Sequence, residues 1–165
     1  MSGLSYDIRL EAGTAEAALD AVAQRLEDGA PLTAKIAAYL ESSTRDRFEA
    51  QHGPDGHPWK PSIRARLTGG LTLKASGQLL ESITSAHSAD QVEVGTNKVY
   101  GPLMHFGGWV VAKTAKALRF KIPGVGWRSA QKVYVPGRPY LGIDGDDREE
   151  IGEIISGYLA QAAPS

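Results

Sequence analysis

The spacing of apolar residues predicts a strand and two helices in the first 50 residues. Residues 6–11 alternate between polar and apolar side chains, which is typical of a short strand. Apolar residues recur at helical spacing over 15–26, and Gly29 and Pro31 predict the end of that helix. A second helix is expected over 32–50, because its apolar positions share one face.

The middle of the chain predicts a turn-rich loop and a hairpin. The loop is QHGPDGHPWKPS at 51–62, where Trp59 between two prolines is expected to anchor the loop to the core. A short helix is expected within 76–83, followed by a hairpin formed by ITSAHS and QVEVGT. The segment YGPLMHFGG, at 100–108, predicts one or two helical turns that end at its glycines.

The C-terminal third predicts a long hairpin and a final helix. LRFKIP and KVYV both alternate, so we expect them to pair across a tip formed by PGVGWRSAQ. Asp146 and Glu149 are expected to form a capping box at the start of the helix. A continuous apolar stripe from Ile151 to Ala162 then predicts an amphipathic helix.

These elements predict an α+β fold in a single domain over residues 1–165. A small antiparallel sheet packs against N-terminal and C-terminal helices, and residues 109–137 project from the domain as a basic β-hairpin. We find no internal repeat, low-complexity tract or interdomain linker.

Composition narrows the possible functions. The hydrophobic share of 42% and the charged share of 22% are ordinary for a soluble globular protein. The absence of cysteine excludes disulfides and thiolate chemistry. No stretch resembles a signal peptide or an apolar run long enough to cross a membrane, so we expect no membrane contact.

The net charge of -1 conceals a segregation of opposite charges. Residues 113–138 carry seven basic side chains and no acid, whereas residues 144–153 carry six acids and one base. Residues 1–29 carry six acids and two bases. This arrangement favours a contact between a basic surface and an acidic one, on a neighbour or within the chain.

The basic segment has three interpretations: a subunit contact, a solvated hairpin with charged edges, or a grip on nucleic acid through its aromatic residues. The residues expected at a subunit or partner contact are Lys113, Lys116, Arg119, Lys121, Trp127, Arg128, Lys132 and Arg138, with Asp146, Asp147 and Glu150 on the acidic side.

Candidate chemistry is sparse. His52, Asp55 and His57 could ligate zinc in a small metal-assisted hydrolase, but their spacing matches no established zinc pattern. The serine-nucleophile elbow, the P-loop and the dinucleotide-binding motif are all missing. We therefore expect no catalytic residue, metal or cofactor, and a structural role for His105.

Four motifs occur in the order RFEAQHGPDGHPWKP, ASGQLLESI, VEVGTNKVYGPLMHFGG and VPGRPYLGI, and a terminal amphipathic helix follows them. This ordered series resembles the phage virion morphogenesis family, the tail completion proteins of Mu-like tailed phages. The resemblance covers about residues 45–160. It departs from the family pattern at Gly101, where alanine is usual, and at Phe106, where glutamine is usual. Its structural motif residues are Trp59, Tyr100, His105, Phe106, Gly107, Gly108, Pro139, Tyr140 and Leu141.

The resemblance implies a non-enzymatic virion protein at the junction of tail and head, assembled in the host cytoplasm. Its partners would be further copies of itself in a ring, with a hexamer favoured, and the neighbouring tail-tube, terminator and head-connector proteins. Transient contact with passing DNA is an alternative that the sequence leaves open. In VPGRPYLGIDGDD, Pro136 and Pro139 stiffen the backbone around Arg138, and Tyr140 and Leu141 are expected to dock into the core.

Overall fold

The long helix α1 (Ala30–Ala50) lies at the centre of the computed structural model, which describes residues 20, 22–23, 28–113 and 116–161. Pro31 lies in its first turn, where the missing backbone N–H costs nothing. Gln51 ends the helix in a left-handed conformation, and its N–H donates to the carbonyl of Arg47 at 2.8 Å. The predicted helix over 32–50 is confirmed. The predicted strand over 6–11 lies outside the described residues. Of the helix predicted over 15–26, only Asp20, Val22 and Ala23 are described, and all three are helical.

The remaining elements follow in chain order. They are α2 (Ile63–Thr68), α3 (Gln78–Glu81), β1 (Ile83–His87), β2 (Val92–Thr96), α4 (Gly101–Phe106), β3 (Gly107–Val111), β4 (Leu118–Ile122), β5 (Gly126–Ala130), β6 (Lys132–Pro136) and α5 (Gly145–Ala160). The α+β class and the short helices are confirmed. No helix in the described part of the chain is long and apolar enough to span a membrane.

The predicted hairpin is confirmed as β1 and β2, which pair antiparallel and pack against α1. Ile83 is fully buried at the start of β1. Side chains of α1 bind the edge of the hairpin: Arg45 donates to the carbonyl of Ile83 at 2.8 Å. Glu41 accepts from both the backbone N–H and the hydroxyl of Ser85, each at 2.8 Å. The hairpin is therefore fixed to the helix by polar as well as apolar contacts.

An aromatic cluster forms the core. The ring of Phe48 lies 5.5 Å from that of Trp59 and 5.4 Å from that of Tyr140, measured between centroids. The polar atoms of the cluster are satisfied: Trp59 Nε1 donates to the carbonyl of Pro139 at 2.8 Å, and the Tyr140 hydroxyl donates to the carbonyl of Gly101 at 3.0 Å. Aromatic residues that bury their rings and bond their polar tips hold distant segments together.

The predicted long hairpin between 118–123 and 132–135 is wrong. β4 pairs with the adjacent β5, and β6 pairs with β3. The reason is a tight turn in which the N–H of Val125 donates to the carbonyl of Ile122 at 3.1 Å. Pro123 and Gly124 (φ 74°) lie at its centre, as a type II turn requires. A short loop costs less entropy to close than the predicted nine-residue tip. The described strands thus form three two-stranded sheets in place of one.

The predicted capping box of α5 is also wrong, because the observed box lies two residues earlier in the chain. Asp144 is the N-cap and accepts from the backbone N–H of Asp147 at 2.8 Å, and the Asp147 carboxylate accepts in return from the N–H of Asp144 at 3.0 Å. The Asp147 side chain is almost completely buried because it forms an ion pair with Arg47 of α1. Arg47 also donates to the carboxylate of Asp144 and to the carbonyl of Gly142, both at 2.9 Å.

The surroundings of Asp147 set its protonation. Burial raises the pKa of Asp147, but the Ser43 hydroxyl, the backbone N–H of Asp144 and the Arg47 guanidinium together outweigh burial, so the pKa lies below its ordinary value of 3.8. Burial and the charge of Asp147 raise the pKa of Tyr39, which donates to that carboxylate, to about 12. Asp147 is therefore ionised at neutral pH.

Replacing Arg47 with methionine should lower the free energy of unfolding by about 3–5 kcal/mol, because the buried Asp147 carboxylate would lose its counter-ion. Urea denaturation measures the change. Lys35→Met on the same helix is the control: Lys35 is exposed and lies 5.6 Å from the ring centroid of Tyr158, so its loss should cost about 1 kcal/mol or less. Equal midpoints for the two variants would contradict the assignment.

Acid should weaken the fold through Asp147. A carboxyl whose folded pKa is depressed contributes stability that is complete above its unfolded pKa and is lost as pH falls towards the folded value. The contribution of Asp147 should therefore disappear below pH 3.8. Asp147→Asn should flatten this part of the stability–pH curve, which urea denaturation at a series of pH values measures.

Candidate functional site

The chain between α4 and the joint at residue 137 forms an arm, residues 107–136, made of the β3/β6 and β4/β5 ribbons. On one face of the β3/β6 ribbon, Trp109 and Tyr134 are cross-strand partners with ring centroids 5.3 Å apart. The ammonium of Lys132 lies 4.8 Å from the Trp109 ring centroid. Trp109 is 59% exposed and Val111 is 54% exposed. This face is both aromatic and basic.

The β4/β5 ribbon presents a second basic face. Arg119 and Lys121 are exposed at alternate positions of β4, as predicted, and Lys121 lies opposite Trp127. The guanidinium of Arg119 lies 5.6 Å from the Trp127 ring centroid, and Trp127 is 62% exposed. Arg128 is exposed on β5. Lys113 and Lys116 are exposed on either side of residues 114–115. The structure thus places most of the predicted basic residues on the surface of the arm.

Two glycines allow the arm to leave the body. The backbones of Gly107 and Gly137 approach so closely that a Cβ on Gly107 would lie 2.4 Å from Gly137 N. A Cβ on Gly137 would lie 2.6 Å from the carbonyl oxygen of Phe106. The next residue fixes the joint, because the N–H of Arg138 donates to the carbonyl of Met104 at 2.9 Å. No side chain larger than hydrogen fits at this crossing.

Arg138, predicted as a contact residue, is instead buried, with 5% of its surface exposed. Its Nε donates to the carbonyl of Lys60 at 2.8 Å, and its Nη1 donates to that of Pro136 at 3.1 Å. Burial lowers its pKa. The stiff backbone between Pro136 and Pro139 therefore directs the guanidinium inward, and Arg138 is not part of the surface of the arm.

The acidic residues divide in the same way. Asp146 and Glu150 are exposed on the first turns of α5, as are Glu149 and Glu153. Asp147 is buried in its ion pair and is unavailable to a partner. The reason is the capping box, which directs this side chain back towards α1. The sequence did not single out Arg47, although its spacing from Thr44 and Phe48 places it on the buried face of α1.

Two of the predicted structural motif residues, His105 and Leu141, lie beside Tyr140 in the core. His105 Nδ1 accepts from the N–H of Tyr140 at 3.3 Å, and the two rings meet edge to face. Burial lowers the pKa of His105, which suits this acceptor role. Leu141 packs against the aromatic core. Tyr100 is partly exposed, and Phe106 is 79% exposed at the base of the arm, so neither belongs to the buried core.

The side chains of the alternative zinc site form hydrogen bonds within their own loop. Asp55 accepts from the backbone N–H of His57 at 3.0 Å, and His52 Nδ1 lies 2.9 Å from the carbonyl of Gly53. Across the described ranges, no three His, Asp or Glu side chains are grouped so that they could hold a metal ion.

With an exposed basic arm, a buried joint and an acidic helix start, the geometry has the features of an assembly surface. The profile of the phage virion morphogenesis family matches residues 10–160. This chain belongs to the phage virion morphogenesis family. The family resemblance inferred from the order of the sequence motifs is confirmed.

Two relatives illustrate the family. The chain is 32% identical over 142 residues to Mu-like prophage FluMu G protein 2 of Haemophilus influenzae, with 86% of each protein covered. It is 31% identical over 132 residues to tail completion protein S of Escherichia phage P2, with 78% of this chain and 82% of the relative covered. No solved structure matches the chain. Within this family of tailed-phage structural proteins, the arm and its joint are the candidate site.

Gly137→Ala should destabilise this member of the family by about 1–3 kcal/mol, because the new methyl group would press on the backbone of Phe106 and Gly107. The free energy of unfolding from urea titration measures the effect. Gly95→Ala on β2 is the control, since nothing lies within 4 Å of its added Cβ. A Gly137→Ala variant as stable as Gly95→Ala would show that the crossing is not tight.

Proposed function

We propose that this chain is a tail completion protein that joins the tail of a phage to its head, and that it acts by assembly without catalysis. The support is its family and its similarity to tail completion protein S of phage P2. Its place is the tail–head junction of the virion. Its partners are the neighbouring tail-tube, terminator and head-connector proteins.

The observation that carries the proposal is the arm. Each of its ribbons has only two strands in the described chain, and two-stranded sheets are marginally stable in water. Large apolar side chains on its surface, including Trp109, Trp127 and Tyr134, are more than half exposed. Such a patch with basic residues between the rings marks an interaction surface. A partner that covers the arm offsets the entropy lost when the arm is ordered.

The partner surface we assign to the arm is the start of α5 on an adjacent copy. Asp146, Glu149, Glu150 and Glu153 are exposed there, and the arm carries no acidic residue. Two different surfaces on each copy make a heterologous contact, which closes into a ring when the rotation is correct. We propose a ring of six copies, since the family implies a place on a rotationally symmetric tail. The chain then acts as one domain, and its arm reaches the adjacent copy.

Reversing Arg119, Lys121 and Lys132 to glutamate should abolish joining of tails to heads. The three side chains are exposed, so the isolated protein should stay folded while its contact with the acidic surface becomes repulsive. Electron microscopy of particles made with the variant is the measurement, with circular dichroism to confirm folding. Free heads and unjoined tails are expected in place of virions.

The matched control reverses three basic residues of the body, Lys60, Arg66 and Lys98, which changes the net charge equally. This control should give normal virions. Normal virions from the arm variant would show that the arm is only a solvated face. If virions form but the purified arm variant loses salt-dependent binding to DNA, the arm serves the passing DNA instead.

A further inference from the structure

A pocket of about 350 Å³ lies beside the joint, on the side of the body bounded by α2, α3 and α4. Leu73, Leu79 and Met104 give it an apolar wall. Arg64 and Arg138 line the same pocket. An apolar wall next to convergent polar groups is the usual composition of a binding site.

Among the described residues, the two arginines have hydrogen-bond acceptors but no counter-ion. Arg138 is 95% buried, since only 5% of its surface is exposed, and its acceptors are the carbonyls of Lys60 and Pro136. Arg64 donates to the carbonyl of Leu71. In the part of the chain that the structure describes, neither guanidinium is ion-paired with a carboxylate. A buried cation without an anion is costly, and Arg47, which is also buried, has two carboxylates.

The apolar wall is held rigidly. Leu73 has a left-handed backbone with φ 63°, which is unfavourable for a residue of this size. The preceding residue is fixed by the side-chain amide of Gln51, whose Oε1 accepts from the N–H of Thr72 at 2.6 Å and whose Nε2 donates to its carbonyl at 3.0 Å. Because this wall is already ordered, a ligand pays little conformational entropy to use it.

We propose that this pocket binds a segment of a neighbouring virion protein that presents a carboxylate beside an aliphatic side chain. The aliphatic group contacts Leu73, Leu79 and Met104, and the carboxylate neutralises Arg138 with help from Arg64. The identity of the partner as a virion protein rests on the function proposed above, whereas the chemistry of the pocket does not. A nucleic-acid phosphate fits less well, because it has no apolar group for the wall.

N-acetylleucine is the probe, since it joins a carboxylate to an isobutyl group, and N-acetylleucinamide is its neutral match. In ¹⁵N-labelled protein, N-acetylleucine should shift the amide signals of Leu73, Leu79 and Met104 in a saturable manner. Loss of one charge-assisted contact, worth about 1.5–3 kcal/mol, predicts that the amide binds roughly tenfold more weakly or worse. Equal affinity for the two probes would overturn the proposal. So would a result in which inorganic phosphate shifts these amide signals and N-acetylleucine does not.

Variants locate the site. Arg64→Gln should weaken N-acetylleucine several-fold, whereas Arg66→Gln, on the same short helix and outside the pocket lining, should leave binding unchanged. Ala75→Trp should fill the pocket from its exposed rim and abolish binding without removing a core contact. Unchanged binding in Ala75→Trp would place the probe elsewhere and refute the site.

Particles separate this inference from the proposed function. Phage carrying Ala75→Trp should yield unjoined tails and heads, whereas phage carrying Arg66→Gln should yield normal virions. Normal virions from Ala75→Trp, with probe binding abolished, would refute docking at the pocket while leaving the tail-completion role intact. Normal joining in a phage that lacks the whole protein would instead refute the proposed function, and the comparison of the two probes would still test the pocket.

Discussion

The packing of Tyr140 into the aromatic core is the contact on which the rest of the structure depends. Its ring is 1% exposed and lies against Phe48 of the central helix, and the preceding carbonyl, that of Pro139, accepts from Trp59. Truncating a buried aromatic residue to alanine costs about 3–5 kcal/mol, several times the worth of an exposed ion pair. Pro139 and Tyr140 are thereby fixed to the 51–62 loop through Trp59, to the central helix through Phe48 and to α4 through the carbonyl of Gly101.

Both ends of this segment then have defined positions. On the N-terminal side, Gly137 crosses Gly107 and Arg138 lines the pocket, so the base of the arm and the pocket are held by the same segment. On the C-terminal side, Gly142 and Asp144 meet Arg47, which aligns α5 with α1. The stiffness of the proline-flanked sequence therefore sets the relative positions of three features that are distant along the chain.

The body and the arm differ in how far their own contacts stabilise them. The body has an aromatic core, a capped helix and a buried ion pair. The arm has two narrow ribbons whose largest side chains, such as Trp109 and Trp127, face outward. This difference supports the proposed assembly role, because a partner that covers the arm would offset the entropy lost when the arm is ordered. The preformed pocket would serve as a second anchor that does not require this ordering.

The sequence by itself determined the local elements: periodicity located α1 and the β1/β2 hairpin, and the order of motifs identified the family. Tertiary structure decided the rest. Alternation showed that residues 118–122 form a strand but not which strand pairs with it, since pairing depends on the closure of the Pro123–Gly124 turn. The charge pattern assigned Arg138 and Asp147 to the surface, whereas both are buried. These charged side chains are buried because groups from distant segments of the chain bind them. The carbonyl of Lys60 accepts from Arg138, and the guanidinium of Arg47 pairs with Asp147. Such contacts form only in the tertiary structure, so the spacing of residues in the sequence does not predict them.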